Sequence, residues 1–299
     1  MRAHALLALL PVIGTQAVRI IQSNDDGWAE LNVRTLHDAL NGAGYDVVLS
    51  GPAENKSGTS SRDEEPKPRS SACQYDSCLA GSGPVGTNAT NPRLNWVNSF
   101  PVTSIRYGID TFGPQIWNGA GPDLAVTGPN VGHNLYLSVP FSGTVGAAVY
   151  AAKEAGIPAI AFSGSSAGGA TAWNKTPVPR QSLVYAELAE KLTSAVVNSG
   201  KPYLPEDVWL NVNFPEVTDE CLDASAFKFV LSRINLGVFS EKDVTHCGED
   251  RLPAELEVVS TEGCYVSVSV GDANDKTTAP ADKQAVVLEK LGDLFTCLP

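Results

Sequence analysis

Two adjacent carboxylates followed by a glycine, Asn24-Asp25-Asp26-Gly27, stand directly behind the apolar run Val18-Arg19-Ile20-Ile21-Gln22. Successive side chains of a strand face opposite ways, so Asp25 and Asp26 converge on one point only where the backbone has left the extended state. Gly27 permits that departure. Carboxylates crowded at the carboxyl end of a strand repel one another unless a hard cation neutralises them, and an oxygen-seeking ion such as Mg²⁺ is the usual partner. The same four residues also read as a turn whose Asx side chains satisfy backbone groups and cap the next helix.

The elements around the pair decide between these readings. Apolar residues at Leu31, Val33, Leu36, Ala39 and Leu40 have helical spacing, closed by Gly42 and Gly44, and Asp46-Val-Val-Leu-Ser50 reads as a second buried strand. Strand, helix, strand is a βαβ unit; it starts a parallel sheet whose ligands bind off the carboxyl ends of the strands. Residues 61–94 read as an irregular surface excursion. A helix from Pro101 to Phe112, closed by Gly113-Pro114, comes next, then a strand over Pro122–Thr127 and a long loop to Phe141. Helices starting at Ser142-Gly143-Thr144, at Arg180 and at Gln284, with strands at Ile157–Phe162 and Val208–Phe214, complete an α/β pattern.

Three further loops then share the edge that carries the Asp pair: Ser57-Gly58-Thr59-Ser60, Gly128-Pro129-Asn130-Val131-Gly132-His133-Asn134, and Phe141-Ser142-Gly143-Thr144. Carboxylates with a Ser hydroxyl and an Asn carbonyl make an oxygen-rich shell suited to Mg²⁺ or Mn²⁺. A Ser-Gly-Thr helix start offers free N–H groups to an anion. A divalent metal beside a helix N-terminus describes a phosphomonoester site. Asn24 to Gly27, Pro52 with Ser57 to Ser60, Gly121-Pro-Asp-Leu-Ala-Val-Thr-Gly-Pro-Asn130-x-Gly132-x-Asn134, Phe141-Ser-Gly-Thr-Val-Gly-Ala-Ala148 and Gly156-Ile-Pro-Ala-Ile-Ala161 resemble the SurE family of 5′/3′-nucleotidases and acid phosphatases. The likeness runs in order from about Val18 to Phe162, and more weakly through Leu210–Pro215.

That resemblance implies a Rossmann-like three-layer α/β sandwich with a mostly parallel sheet, a core over about 18–215 and a smaller, oligomer-forming C-terminal part over 216–299. It implies a homodimer or higher homo-oligomer that hydrolyses small phosphate monoesters, foremost nucleoside 5′/3′-monophosphates, with Mg²⁺ or Mn²⁺. By motif, Asp25, Asp26, Ser57 and Asn130 fall on the family's metal ligands, with Asp25 and Asp26 central to catalysis. Asn24, Asn134, Ser142, Gly143 and Thr144 fall near its phosphate-binding positions. Bound metal would polarise the phosphoryl oxygens and acidify a water, and that water is favoured over an Asp carboxylate as nucleophile. Pro129, where the family usually has an aliphatic residue, and the C-terminal Gly263–Val270 stretch depart from the pattern.

Composition sets the surroundings. The chain has 299 residues, 43% of them hydrophobic, enough for a full core without a partner. A net charge of −12 and a pI near 4.8 argue against a nucleic-acid polymer as ligand. Arg2 before the apolar stretch Ala5–Ile13, ending at Thr15-Gln16-Ala17, reads as a signal peptide over residues 1–17, hence a secreted protein with no membrane span in its mature form. Six cysteines then form three disulfides, of which only a local Cys73–Cys78 bridge can be assigned; the spacings do not suit zinc. Asn55-Lys-Ser57, Asn88-Ala-Thr90 and Asn174-Lys-Thr176 are glycosylation triplets, the first at the mouth of the expected site.

Two rival readings remain. Gly164-Ser165-Ser166-Ala167-Gly168 matches the nucleophile elbow of a serine esterase, with Ser166 as nucleophile, although the Gly- and Pro-rich residues after it do not form the helix the elbow requires. A secreted protein that binds metal or phosphate without turnover is the other. Among the histidines only His133, inside the Asn130–Asn134 loop, has a position suited to substrate contact or acid catalysis.

Overall fold

The apolar run ahead of the Asp pair forms β1 (Arg19–Ser23), followed by α1 (Leu31–Gly42) and β2 (Asp46–Pro52). The structure is a computed structural model that describes residues 17–238 and 240–299. The expected leader lies outside the described residues except for Ala17. Along β1 the side chains alternate between two cores: Ile20 packs on one face of the sheet with Leu36 and Leu40 of α1, and Ile21 on the other.

The remaining strands are β3 (Val85–Thr87), β4 (Leu94–Val97), β5 (Leu124–Val131), β6 (Ala159–Gly164), β7 (Val208–Asn213), β8 (Lys228–Ser232) and β9 (Tyr265–Asp272). The nine strands of the described residues join one sheet in the order β3-β4-β2-β1-β5-β6-β7-β9-β8. From β4 to β7 every pairing is parallel; β3 runs antiparallel to β4 and β9 antiparallel to β7, while β8 is parallel to β9. The chain builds outward from β1 through β2 to β4 and then returns to β5 on the other side of β1. That reversal opens a crevice at the carboxyl ends of β1 and β5.

Helices cover both faces. α1 and α5 (Arg180–Asn198) pack together on one, where Leu188, Leu192 and Val196 of α5 are buried. α2 (Pro101–Tyr107) and α4 (Gly143–Lys153) pack on the other; α4 is almost wholly small and apolar, so it lies close against β5 and β6. This is the mostly parallel α/β sandwich expected. No helix among the described residues is long and apolar enough to cross a membrane.

Four local expectations are corrected. The excursion over 61–94 contains β3 and the start of β4, which extend the sheet beyond β2. Gly113-Pro114 does not close the helix begun at Pro101: a π turn over Gly108–Phe112 leads into α3 (Gly113–Ile116), whose first turn accommodates a proline because its N–H would lack a partner there. β5 continues past Thr127 to Val131 through a register shift against β6, with Gly128 at φ +89° and pressed against the Phe162 carbonyl. The last helix, α7, spans Ala281–Leu291 and so starts ahead of the expected Gln284. The C-terminal part supplies β8, α6 (Glu255–Ser260) and β9, and Val266, Val268 and Val270 of β9 enter the same core as β1.

All six cysteines are paired: Cys73–Cys78 as expected, Cys221–Cys264 and Cys247–Cys297. The first bridge packs beside Trp28, immediately behind the Asp pair.

Candidate active site

Asp25 and Asp26 emerge from β1 into the crevice beside β5, each only 2% exposed. The backbone turns between them, so their carboxylates are wired to different elements. Asp25 accepts from the Thr144 hydroxyl (2.6 Å) and the Gly143 N–H (3.2 Å) at the first turn of α4. Asp26 accepts from the Val131 N–H (2.8 Å) at the end of β5 and from the Asn55 amide (3.3 Å) in the loop after β2. Gly143 is required for this approach, because a Cβ there would stand 2.9 Å from the Asp25 Cβ. Gly27 holds φ +111° and lets the chain turn at once into α1, whose N-cap is Glu30.

Burial pushes the Asp25 carboxyl above its ordinary range, against the pull of the Thr144 and Gly143 donors. Burial raises Asp26 further, aided by the charge of Asp25. Two buried, mutually repelling carboxyls are stabilised as anions by a cation. Asn130, 8% exposed, anchors its amide nitrogen on the Gly132 carbonyl (2.6 Å) and leaves its own oxygen buried without a partner. Asn130 directly precedes Val131, whose N–H binds Asp26, and an orphaned carboxamide oxygen together with two carboxylates is the donor set a hard divalent ion takes, so these residues fit Mg²⁺ or Mn²⁺.

The other expected residues are placed as follows. Ser57 is exposed, its N–H donating to the Asn55 oxygen (2.9 Å), in a loop tied to the pair by the Lys56 N–H on the Asp25 carbonyl (2.7 Å). Ser142 caps α4, accepting from the Val145 N–H at 3.1 Å, and is 6% exposed. Gly143 and Thr144 direct their donors to Asp25. Asn24 is wholly buried and its amide closes the turn on the Gly27 carbonyl (3.0 Å). Asn134 is 5% exposed; its amide donates to the Ser163 hydroxyl (2.7 Å), while its backbone is held by Asn211 and Asn213 of β7.

Sequence reasoning missed Asn55, the Val131 N–H and the β7 asparagines. Asn55 was visible as a triplet asparagine, but its hydrogen bond to Asp26 was not. The alternation of Asn211 and Asn213 along β7 was the signal for a polar face beneath Asn134. His133 is tied down, with Nε2 2.8 Å from the Phe214 carbonyl and therefore carrying a proton there. The strand carrying Gly164 is followed by turns and not by a helix, since α5 begins only at Arg180, so Ser166 lacks the elbow geometry. His246, Cys247 and Cys297 cluster within 4.8 Å, but both sulfurs are spent in one disulfide.

Comparison with known proteins agrees with this architecture. The family profile described as "Survival protein SurE" matches residues 20–233. An acid phosphatase of Yarrowia lipolytica is 31% identical over 281 residues, covering 84% of this chain and 78% of that protein. A 5′-nucleotidase SurE of Gloeobacter violaceus is 32% identical over 220 residues, covering 72% of each. The crystal structure of the SurE protein from Aquifex aeolicus superposes with a TM-score of 0.55 at 24% identity, over 85% of this chain and 93% of that one. With a profile match that begins in β1, takes in the Asp pair and Asn130 and ends just past β8, and with relatives aligned along most of their length, this chain belongs to the SurE family.

Proposed function

We propose that the chain hydrolyses phosphate monoesters, foremost nucleoside 5′- and 3′-monophosphates, at a divalent-metal centre held by Asp25, Asp26, Ser57 and Asn130. The observation that carries this reading is the buried Asp pair, with Asp26 bonded to the Val131 N–H, together with the buried, unpartnered oxygen of the preceding Asn130. The names of the relatives, acid phosphatase and 5′-nucleotidase, support the reaction class.

Mg²⁺ or Mn²⁺ bound there supplies Lewis acidity toward a phosphoryl oxygen and an acidified water. The chain's own groups prepare the site. Thr144 and the N-terminus of α4 fix Asp25 in place and favour its ionised form against the effect of burial. The Val131 N–H orients Asp26. The Ser142 oxygen accepts from Val145 and so keeps its own proton to donate to phosphate. Asn24 fixes the turn of the Asp loop, and Asn134 fixes the floor through Ser163 and β7. Their partners are protein groups, so they shape the site, and Ser142 is the group with a proton left to give to phosphate.

Export belongs to the same proposal: three disulfides suit an oxidising compartment. So does the homodimer or higher homo-oligomer that the family resemblance implies.

The test is phosphate release from a nucleoside monophosphate and from an aryl phosphate by protein stripped with chelator, with and without added Mg²⁺ or Mn²⁺, beside hydrolysis of an aryl acetate. Phosphate release restored by metal supports the reading. Metal-indifferent ester hydrolysis lost in Ser166→Ala would replace it with a serine esterase.

A further inference from the structure

Of the three glycosylation triplets, one is built into the site. Asn55 is exposed, as an acceptor must be, yet both ends of its side chain are engaged: Nδ2 donates to Asp26 Oδ1 at 3.3 Å and Oδ1 accepts from the Ser57 N–H at 2.9 Å. The next residue closes the loop onto the other carboxylate residue, the Lys56 N–H meeting the Asp25 carbonyl at 2.7 Å. One short side chain therefore joins Asp26, on the oxygen that the Val131 N–H leaves free, to the turn that presents Ser57. The Asn88 oxygen accepts from the Thr90 N–H, the Thr90 hydroxyl and the Asn91 N–H within its own turn, and Asn174 is exposed in the loop before α5.

We propose that Asn55 is a positioning residue for Asp26 and Ser57, and that a sugar on its triplet is incompatible with a working centre. Attachment would exchange one Nδ2–H for a bond to the anomeric carbon of the sugar, with the diphosphate of an activated glycosyl donor leaving and the proton passing to solvent. It would remove a donor from the amide that holds Asp26 and set a bulky polar group one side chain from the carboxylates. The inference rests on the metal-phosphatase reading, in which Asp26 and Ser57 are ligands.

Calorimetric titration of chelator-stripped protein with Mn²⁺ tests it, using wild type, Asn55→Ala, Asn55→Ser and Asn88→Ala, together with the Mn²⁺ dependence of turnover and the unfolding temperature of the metal-free proteins. A hydrogen bond to a charged group corresponds to about tenfold in affinity. Asn55→Ala is expected to need about tenfold more Mn²⁺ for half-saturation, with kcat recovered at saturating metal and metal-free unfolding unchanged. Asn55→Ser retains an acceptor for the Ser57 N–H without the donor to Asp26, and should fall between the two. Asn88→Ala should match wild type.

Equal Mn²⁺ affinity in wild type and Asn55→Ala would overturn the inference alone. Molecules found by peptide mapping to carry sugar on Asn55, yet binding Mn²⁺ as tightly as bare ones, would do the same. A wild-type protein that binds no Mn²⁺ would overturn the underlying functional reading as well.

Discussion

Replacing Thr144 with Val removes one hydroxyl and nearly preserves its shape. Thr144 is fully buried, and its hydroxyl lies 2.6 Å from Asp25 Oδ1. A buried hydrogen bond to a charged acceptor contributes about 1.5–3 kcal/mol. Each 1.4 kcal/mol is about tenfold in an equilibrium constant, so the half-activating Mn²⁺ concentration should rise roughly ten- to a hundredfold. The sign for pH follows from the same bond. A donor favours the ionised carboxylate, and burial already holds the Asp25 carboxyl above its ordinary range. Without the Thr144 donor the proton competes more strongly with the metal, and the acid limb of activity moves to higher pH. Phosphate release measured across a Mn²⁺ series at several pH values reads both effects. An increase in substrate KM with unchanged Mn²⁺ dependence would refute the reasoning and place the hydroxyl on the substrate phosphate instead.

Other residues give independent checks. Burial raises Glu255 to about 8 and Glu30 to about 7, so the folded chain holds more protons than the unfolded chain between the ordinary carboxyl range and those values. Their contribution is present in acid and lost as pH rises through about 7 and 8, so denaturant unfolding should show stability falling over that window by on the order of a few kcal/mol, and Glu255→Gln should flatten the slope. Cys221 and Cys264 are 43 residues apart, so replacing both with Ala should destabilise the chain by about 4 kcal/mol in the chain-entropy estimate, read by the same unfolding experiment. Ser166→Ala should leave phosphate release unchanged, because Ser166 lies in an exposed turn outside the carboxylate centre; a loss of more than about tenfold would contradict that placement.

The half of the fold that positions the Asp pair was legible because its signals are local. An apolar run, a helical stripe and a second apolar run specify β1, α1 and β2, and a doubled Asp at the end of the first strand has little else to do but bind a cation or turn the chain. The missed elements are those whose stability comes from distant partners. Leu94–Val97 is four residues long, and only pairing with β2 makes it a strand. Strand β5 reads as ending at a Gly-Pro pair because proline lacks an N–H, yet it resumes pairing with β6 from Asn130. In β9 Val266, Val268 and Val270 alternate with Ser267 and Ser269, a pattern that reads in the sequence only as a departure from the family, and the serines are buried too, bonded to Ser232 of β8 at 2.8 Å.

The site shows the same division. Residue type pointed to Asp25, Asp26 and Asn130, but not to the destination of their hydrogen bonds. An isolated Ser-Gly-Thr helix start reads as an anion site; the fold brings Asp25 to it across 118 positions of sequence and gives its first N–H to that carboxylate. Asn55 read only as a triplet asparagine for the same reason, since Asp26 is 29 residues away.

Phosphate release from a nucleoside monophosphate by wild type and Asp25→Asn, each stripped of metal and then supplied with Mn²⁺, tests the metal-phosphatase reading most directly. Wild-type activity that appears only with metal, and falls by roughly a thousandfold in a folded Asp25→Asn protein, is the expected result. Activity that ignores both the metal and the substitution would contradict it.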